Sequence, residues 1–273
     1  MNLRGRALPA PDVIKGDVKM IKIAIVGANG KMGYFVAQSV IENLETEVAF
    51  GIDAYGENKY DFEVYKSFDE AGSKPDVIID FSNPAALDGM LGFALKNKVP
   101  CVICTTGYSD EQVGKIKEAA NTIPVFYSGN MSLGINLLIE LSKQAAKVLG
   151  SSFDIEIVEK HHNLKLDAPS GTALMIADGI SETLEQEPMY VYDRHSYRKK
   201  RAKNEIGIHS VRGGTIVGEH EVIFAGHDEV VTVSHQAQSK EVFAAGAVNA
   251  AVFLAGQQPG MYDMGKMLAS KFE

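Results

Sequence analysis

Several classes of protein are excluded by what the 273-residue chain does not contain. Two cysteines are too few for a disulfide scaffold and suit a reducing compartment. No apolar run approaches the roughly 18–20 residues that cross a bilayer. The first twenty residues carry Arg4, Arg6, Lys15 and Lys19 but no apolar core of the kind a signal peptide needs. Positive charge is in deficit, with 27 Lys and Arg against 35 Asp and Glu, a net −8. Such a chain has no general field to draw in a phosphate backbone. Internal repeats and low-complexity segments are missing too. The expectation is a soluble cytoplasmic protein with no membrane and no nucleic-acid partner. What is present is ordinary globular material: 45% apolar and 23% charged residues, enough for one large or two modest domains.

Residues 1–19 lack periodicity, and Met20 then opens a compact apolar run, so Met20 reads as the natural start and the preceding segment as an extension. From there to about Gly150 short apolar runs alternate with amphipathic stretches of helix length. The runs Ile21–Val26, Glu47–Asp53, Asp76–Phe81, Val99–Thr105 and Pro124–Ser128 are mostly unbroken, as expected of parallel strands covered on both faces. Helices are predicted at Lys31–Asn43, Pro84–Lys96 and Asp110–Ala120. This alternation predicts an α/β fold with a Rossmann-like, doubly wound parallel sheet. After a predicted helix at Ile135–Leu149 the grammar changes. A strand at Phe153–Glu159 and a helix at Ser170–Leu184 precede three successive strands, Glu205–Val211, Thr215–Phe224 and Glu229–Ala237. Strands without intervening helices imply an antiparallel or mixed sheet, hence a second, α+β domain. The basic stretch 194–203 reads as a solvated loop, with charge steering of an anion as the alternative. A helix at Lys240–Ala255 is expected to return to the first domain. The division predicted is 20–131 completed by 239–273, with 132–238 as the second domain.

The first strand runs into Gly27-Ala28-Asn29-Gly30-Lys31-Met32-Gly33. Glycine-rich spacing alone is weak evidence. Here a strand precedes it, a helix follows, and Asp53 stands twenty residues beyond Gly33, which is the context of a dinucleotide site. Glycines let backbone N–H groups approach a pyrophosphate at the positive end of a helix, and the acid accepts hydrogen bonds from ribose hydroxyls. Asp53 would repel a 2′-phosphate and Ala54 offers nothing to hold one, while Lys31 could reach it as a point charge. NADH is therefore favoured over NADPH. Ligands in open parallel sheets sit beyond the carboxyl ends of strands, so Thr105-Thr106-Gly107 and Ser128–Met131 are expected near the nicotinamide. Cys101 and Cys104 fall in one strand at i and i+3, projecting to opposite faces, and read as buried thiols rather than a redox or metal pair.

The densest chemistry is Glu159–Thr172, EKHHNLKLDAPSGT. Ser170, Gly171 and Thr172 place hydroxyls and free N–H groups at a helix start, a ready site for a carboxylate. Histidine and lysine add donors that bind an anion or supply a proton. No metal is expected, because no third ligand stands at sensible spacing from the histidines.

The run Glu159–Ala173, E-x-H-H-x-x-K-x-D-A-P-S-G-T-A, resembles the signature of the dihydrodipicolinate (4-hydroxy-tetrahydrodipicolinate) reductase family. Gly27–Gly33, Asp80–Pro84, Thr105–Gly107, Asn130–Gly134 and Val217–His220 fall in that family's order, so the resemblance covers Met20 to the C-terminus. It implies NAD(P)H-dependent reduction of a cyclic dicarboxylate imine in lysine and diaminopimelate biosynthesis. By position, His161 would be the proton donor and acceptor and Lys165 a second proton donor. His162 would contact substrate, and Lys165, Ser170, Gly171 and Thr172 would hold a carboxylate. Cofactor contacts would come from Gly27, Ala28, Asn29, Gly30, Lys31, Met32, Asp53, Cys104, Thr105, Thr106, Ser128, Gly129, Asn130 and Met131. The family is commonly tetrameric through its second domain, so a homotetramer is implied. Ala28-Asn29-Gly30-Lys31 departs from the x-Gly-Gly-Arg of many members, which bears on cofactor preference. Two other readings compete: a related Rossmann dehydrogenase acting on aspartate or homoserine, and a nucleotide-binding protein without turnover. The intact His161–Thr172 segment argues against both.

Overall fold

The computed structural model describes residues 19–271, so residues 1–18 of the expected extension lie outside them. The chain begins β1 (Ile21–Val26), α1 (Lys31–Glu42), β2 (Thr46–Ile52), β3 (Val64–Tyr65), β4 (Val77–Asp80), α2 (Leu87–Asn97), β5 (Cys101–Ile103), α3 (Asp110–Ala119) and β6 (Pro124–Tyr127). It continues with α4 (Leu133–Leu149), β7 (Asp154–His161), α5 (Gly171–Ser181), β8 (Met189–Val191), β9 (Glu205–Arg212), β10 (Gly218–Ala225) and β11 (Val230–Ala237). It closes with α6 (Glu241–Leu254), β12 (Gly260–Tyr262) and α7 (Met264–Ala269). Among the described residues no helix is long and apolar enough to cross a membrane.

The first sheet has seven strands in the order β12-β6-β5-β4-β1-β2-β3, all parallel. Its strands are apolar on both faces because both are covered. Ile23, Ile25, Val77, Ile79, Val102 and Phe126 pack against α1 and α6. The alternate residues Ala24, Val26, Ile78, Cys101, Ile103 and Val125 pack with Leu87, Met90 and Ala94 of α2 and Ile116 of α3. The period of two explains Cys101 and Cys104, which lie in opposite layers and are both buried. Helix starts follow local chemistry. Ser109 and Gln112 close a reciprocal capping box on α3, and the Ser132 hydroxyl accepts the Ile135 N–H at α4.

The second sheet is mixed, with order β11-β10-β7-β9-β8. β7 and β8 run parallel to β9, whereas β10 is antiparallel to both β7 and β11. One face packs Ile155, Ile157, Ile206, Ile208, Val222 and Phe224 against Leu138 of α4 and Ile176 and Ile180 of α5. The other face is half-exposed. The basic stretch 194–203 is a loop exposed over residues 195–200, but two of its cations are not free. Arg194 donates to Glu205 and Glu156 at 2.8 Å each, and Arg201 donates to Asp154 at 2.9 Å and to Glu156 at 3.0 Å. These two cations are spent on fastening the segment to the sheet.

Candidate active site

At the carboxyl end of β1 the chain turns through Gly27 with φ +80°. A Cβ there would stand 2.6 Å from the Phe81 carbonyl oxygen, so this close approach requires glycine. Gly30 precedes α1 without a side chain to cap it, which leaves the helix start open to an anion. Asp53, half-buried beyond β2, accepts the Asn29 N–H at 2.9 Å and the Tyr55 N–H at 3.0 Å. The Asn29 amide donates to the Tyr55 carbonyl at 2.8 Å, while its Oδ1 is buried without a partner. Beside this loop opens a cleft of ≈ 810 Å³ lined by Gly27, Gly30, Asp53, Phe81, Ser82 and Asn83 among others. An uncovered helix start, a Cβ-free cradle and an orphaned amide oxygen beside an acid fit a dinucleotide. Lys31 is exposed, and Ala28, Cys104 and Met131 are buried, so from those three only backbone atoms can face a ligand.

The strand ends along the cleft are tied by a polar cluster. The buried Asp80 carboxylate accepts the Ser82 N–H at 3.1 Å and the Tyr108 hydroxyl at 3.0 Å, and Ser82 N–H also donates to Thr105 Oγ1 at 2.9 Å. Burial raises the Asp80 carboxyl above its ordinary value, with the bonds from Ser82, Thr105 and Tyr108 opposing it. Thr106 is exposed beside Thr105. Asn130 bridges the two sheets' ends: its amide donates to Thr172 Oγ1 at 2.9 Å, and its Oδ1 accepts the Ser132 N–H at 2.8 Å. The Ser128 hydroxyl donates to the Asn130 carbonyl at 3.0 Å, and Gly129 lies against Met175 of α5.

The second sheet builds its polar end by continuing its apolar rows. Along β7 the buried residues run Ile155, Ile157, Glu159, His161, the period of two placing all four on the helix-facing side. Strand pairing sets Ser210 of β9 and His220 of β10 opposite Glu159, Arg212 opposite His161, and His235 of β11 opposite His220. The hydrophobic core of one end thus becomes a cluster of ionisable groups at the other.

Glu159 is fully buried, and Arg212 donates to its two oxygens at 2.7 Å each. His161 Nδ1 lies 2.6 Å from Glu159 Oε2, and the Ser170 N–H donates to Oε1 at 3.1 Å. Burial works to raise this carboxyl, but the bonds from Arg212, His161 and Ser210 prevail and hold it at about 2. Burial lowers the His161 imidazole, Glu159 opposes that shift, and Lys165 and Arg212 reinforce it. His220, pushed down to about 4 by burial and the neighbouring His161, is neutral at pH 7.

Lys165 and His162 sit on the loop leaving β7. Lys165 Nζ lies 2.9 Å from Asp167 Oδ1, and the Asp167 carboxyl is held below its ordinary value chiefly by Lys165, with the Gly171 backbone adding to it. His162 is half-buried, its Nδ1 unpartnered. Gly171 opens α5 exposed to solvent and Thr172 is half-buried beside it. The Ser170 hydroxyl is engaged inside the protein, accepting the Ala173 N–H at 3.2 Å and lying 3.2 Å from His220 Nε2. Its visible contribution is to set the start of α5. Among the described residues no group of three or more His, Cys, Asp or Glu is placed to hold a metal ion. Sequence reasoning gave no role to Glu159, Arg212 or His220. Glu159 and His161 stand two apart on a strand, a spacing that puts them on one face, whereas Arg212 falls just beyond the predicted strand Glu205–Val211.

Residues 21–131 match the model of the dihydrodipicolinate reductase N-terminus, and residues 134–268 that of the dihydrodipicolinate reductase C-terminus. A 4-hydroxy-tetrahydrodipicolinate reductase of Caldanaerobacter subterraneus subsp. tengcongensis is 56% identical over 247 residues, 90% of this chain and 97% of that protein. One of Clostridium tetani is 45% identical over 251 residues, 92% of this chain and 98% of its own. Among solved structures, a dipicolinate-bound dihydrodipicolinate reductase from a Paenisporosarcina species aligns with a TM-score of 0.74 at 26% identity, over 89% of this chain and 97% of that one.

Proposed function

This chain belongs to the dihydrodipicolinate reductase family, and from that premise we propose how its own residues carry out the reaction. It is an NAD(P)H-dependent oxidoreductase of lysine and diaminopimelate biosynthesis. It takes 4-hydroxy-tetrahydrodipicolinate, NAD(P)H and a proton to tetrahydrodipicolinate, NAD(P)⁺ and water. The observation that carries the reading is the convergence of His161, Lys165 and the start of α5, tied by the Asn130–Thr172 bond to the carboxyl ends of the first sheet's strands.

The bound cofactor supplies the hydride. The chain binds it along Gly27–Met32 and Asp53, with backbone at Cys104–Thr106 and Ser128–Met131 toward the reacting end. We favour NADH, because the Asp53 carboxylate lining the cleft would oppose a 2′-phosphate with negative charge. The amides of Gly171 and Thr172 hold one substrate carboxylate at a positive helix end, and His162 lines the same pocket. Lys165 exchanges its ion pair with Asp167 for one with the substrate. Holding both carboxylates fixes the ring against the hydride source, an orientation effect. Negative charge left by hydride addition is met by the Lys165 ammonium and by a proton from His161 Nε2, with Lys165 as the second donor. The two substrate carboxylates raise the His161 pKa on binding, opposing the effect of burial.

The two-domain division follows the same plan: 20–131 with 239–273 for the cofactor, 132–238 for substrate and assembly. Support comes from β12 pairing with β6 and α6 packing on the first sheet. The assembly is a homotetramer formed through the outer face of the second sheet, where Val211 and Val230 are exposed. The compartment is the cytoplasm, in keeping with two buried, unpaired cysteines.

Calorimetric titration of dipicolinate, a stable planar dicarboxylate, into the protein preloaded with NADH tests the substrate class. One site per chain is expected, with binding lost in Lys165→Ala. Absence of binding to the native protein would contradict the assignment.

A further inference from the structure

Among the groups at the polar end of the second sheet, the Glu159–Arg212 pair is the most completely determined and has no part in the steps above. A buried carboxylate is costly unless its lone pairs are all met. Here four donors besides Ser210 converge on two oxygens: both Arg212 terminal nitrogens at 2.7 Å, the Ser170 N–H at 3.1 Å and His161 Nδ1 at 2.6 Å. Arg212 also donates to the Asp167 carbonyl at 2.6 Å and to the Val211 carbonyl at 2.8 Å. One carboxylate therefore joins the proton carrier, the start of the carboxylate-binding helix and the end of the loop that bears Lys165.

A carboxylate only accepts hydrogen bonds, so the bond to His161 Nδ1 requires that nitrogen to carry the proton in the neutral ring. The proton exchanged with a substrate must then travel through Nε2. That nitrogen lies over Gly218, where even a Cβ would come within 3.2 Å of it. We propose that Glu159, clamped by Arg212, is a positioning residue that fixes the His161 ring with Nδ1 protonated and Nε2 left to exchange the proton. The assignment rests on the reading of His161 as proton carrier. Its mechanism is orientation and charge: the carboxylate selects one tautomer, and it stabilises the imidazolium formed whenever Nε2 takes up a proton. The charged and titratable groups facing His161 are Glu159 on its own strand, Arg212 on β9, His220 on β10 with His235 behind it on β11, and Lys165 on the loop. Of these Glu159 alone is negative, so it alone favours the protonated ring.

Glu159→Gln keeps the shape and removes the charge. In the full-length protein it is expected to lower kcat by about 10²-fold or more, the scale seen when a histidine's orienting carboxylate is neutralised, while the substrate KM rises less than kcat falls. The basic limb of the kcat profile is expected to move to lower pH, because the imidazolium loses its stabilising partner. Histidine ring ¹⁵N shifts, assigned with His161→Gln and read without turnover, are expected to show the Nδ1–H form in the native protein and its loss in Glu159→Gln. These shifts stay informative even if the native protein fails to turn over the substrate, which would instead overturn the functional reading. Unchanged shifts with an unmoved pH limb, whether kcat stays near native or falls uniformly, would overturn the positioning role. Should the unpaired Arg212 prevent folding, the double variant Glu159→Gln/Arg212→Gln removes both charges and is read by the same shifts and the same pH limb.

Discussion

Replacing Lys165 by alanine is expected to lower kcat by about 10²–10⁴-fold, the range typical of losing a positioned proton donor, and to leave NADH affinity within about threefold. Lys165 is half-buried on the loop after β7, and its Nζ is already held at 2.9 Å by Asp167. The protein thus keeps the ammonium at the start of α5 before any substrate arrives. Alanine removes a counter-charge for the substrate carboxylate and a donor for the developing ring anion. Losing the counter-charge weakens substrate binding, whereas losing the donor falls on the transition state, since charge on the ring grows only as hydride arrives. The cofactor cradle, built on the first sheet around Gly27 and Asp53, has no contact with this side chain, so cofactor titration should be nearly unmoved. Stopped-flow or steady-state oxidation together with fluorescence titration of NADH separates the two. Turnover within threefold of the native enzyme would remove Lys165 from the mechanism.

Asp53→Ala is expected to weaken NADH by about 10–100-fold, as hydrogen bonds to a charged group contribute roughly 1.5–3 kcal/mol. NADPH should lose far less. In the native protein Asp53 lines the cleft and accepts one N–H on each oxygen, from Asn29 and Tyr55, which leaves lone pairs for ribose hydroxyls. Those contacts also brace the loop, so alanine costs both cofactors some affinity. The difference between them isolates the ribose bond from the brace, because removing Asp53 also removes its repulsion of a 2′-phosphate and leaves Lys31 free to attract it. Equal losses for NADH and NADPH would refute the ribose assignment.

The first sheet was legible because its strands are buried on both faces and read as unbroken apolar runs between amphipathic helices. Its short members β3 and β12, like β8 of the second sheet, were not: they span two or three residues, too few to show any period, and α7 has six. The mixed second sheet was legible in kind, though not in register. The strand expected from Thr215 starts at Gly218, because β9 runs on to Arg212 and the connection occupies residues 213–217.

The site divided in the same way. His161, Lys165 and the start of α5 lie within one continuous motif, so their proximity was apparent from spacing. Arg212 and His220 arrive from strands some fifty residues onward, through pairings that no local pattern specifies. The basic stretch is a loop as expected, and the anchoring of its two arginines was hidden for a related reason. Its charges were visible, but their partners Asp154, Glu156 and Glu205 were known only once β7 and β9 lay side by side.

The central claim is that this chain reduces a cyclic unsaturated dicarboxylate with a nicotinamide cofactor. The most direct measurement is steady-state oxidation of NADH and NADPH in parallel, with substrate formed fresh from pyruvate and aspartate semialdehyde by the synthase that precedes this step, and with aspartate and homoserine as comparison substrates. Rapid oxidation with the cyclic dicarboxylate alone, and a higher kcat/KM for NADH, is the expected result. No turnover of that substrate while cofactor still binds, or turnover of aspartate or homoserine in its place, would contradict the account.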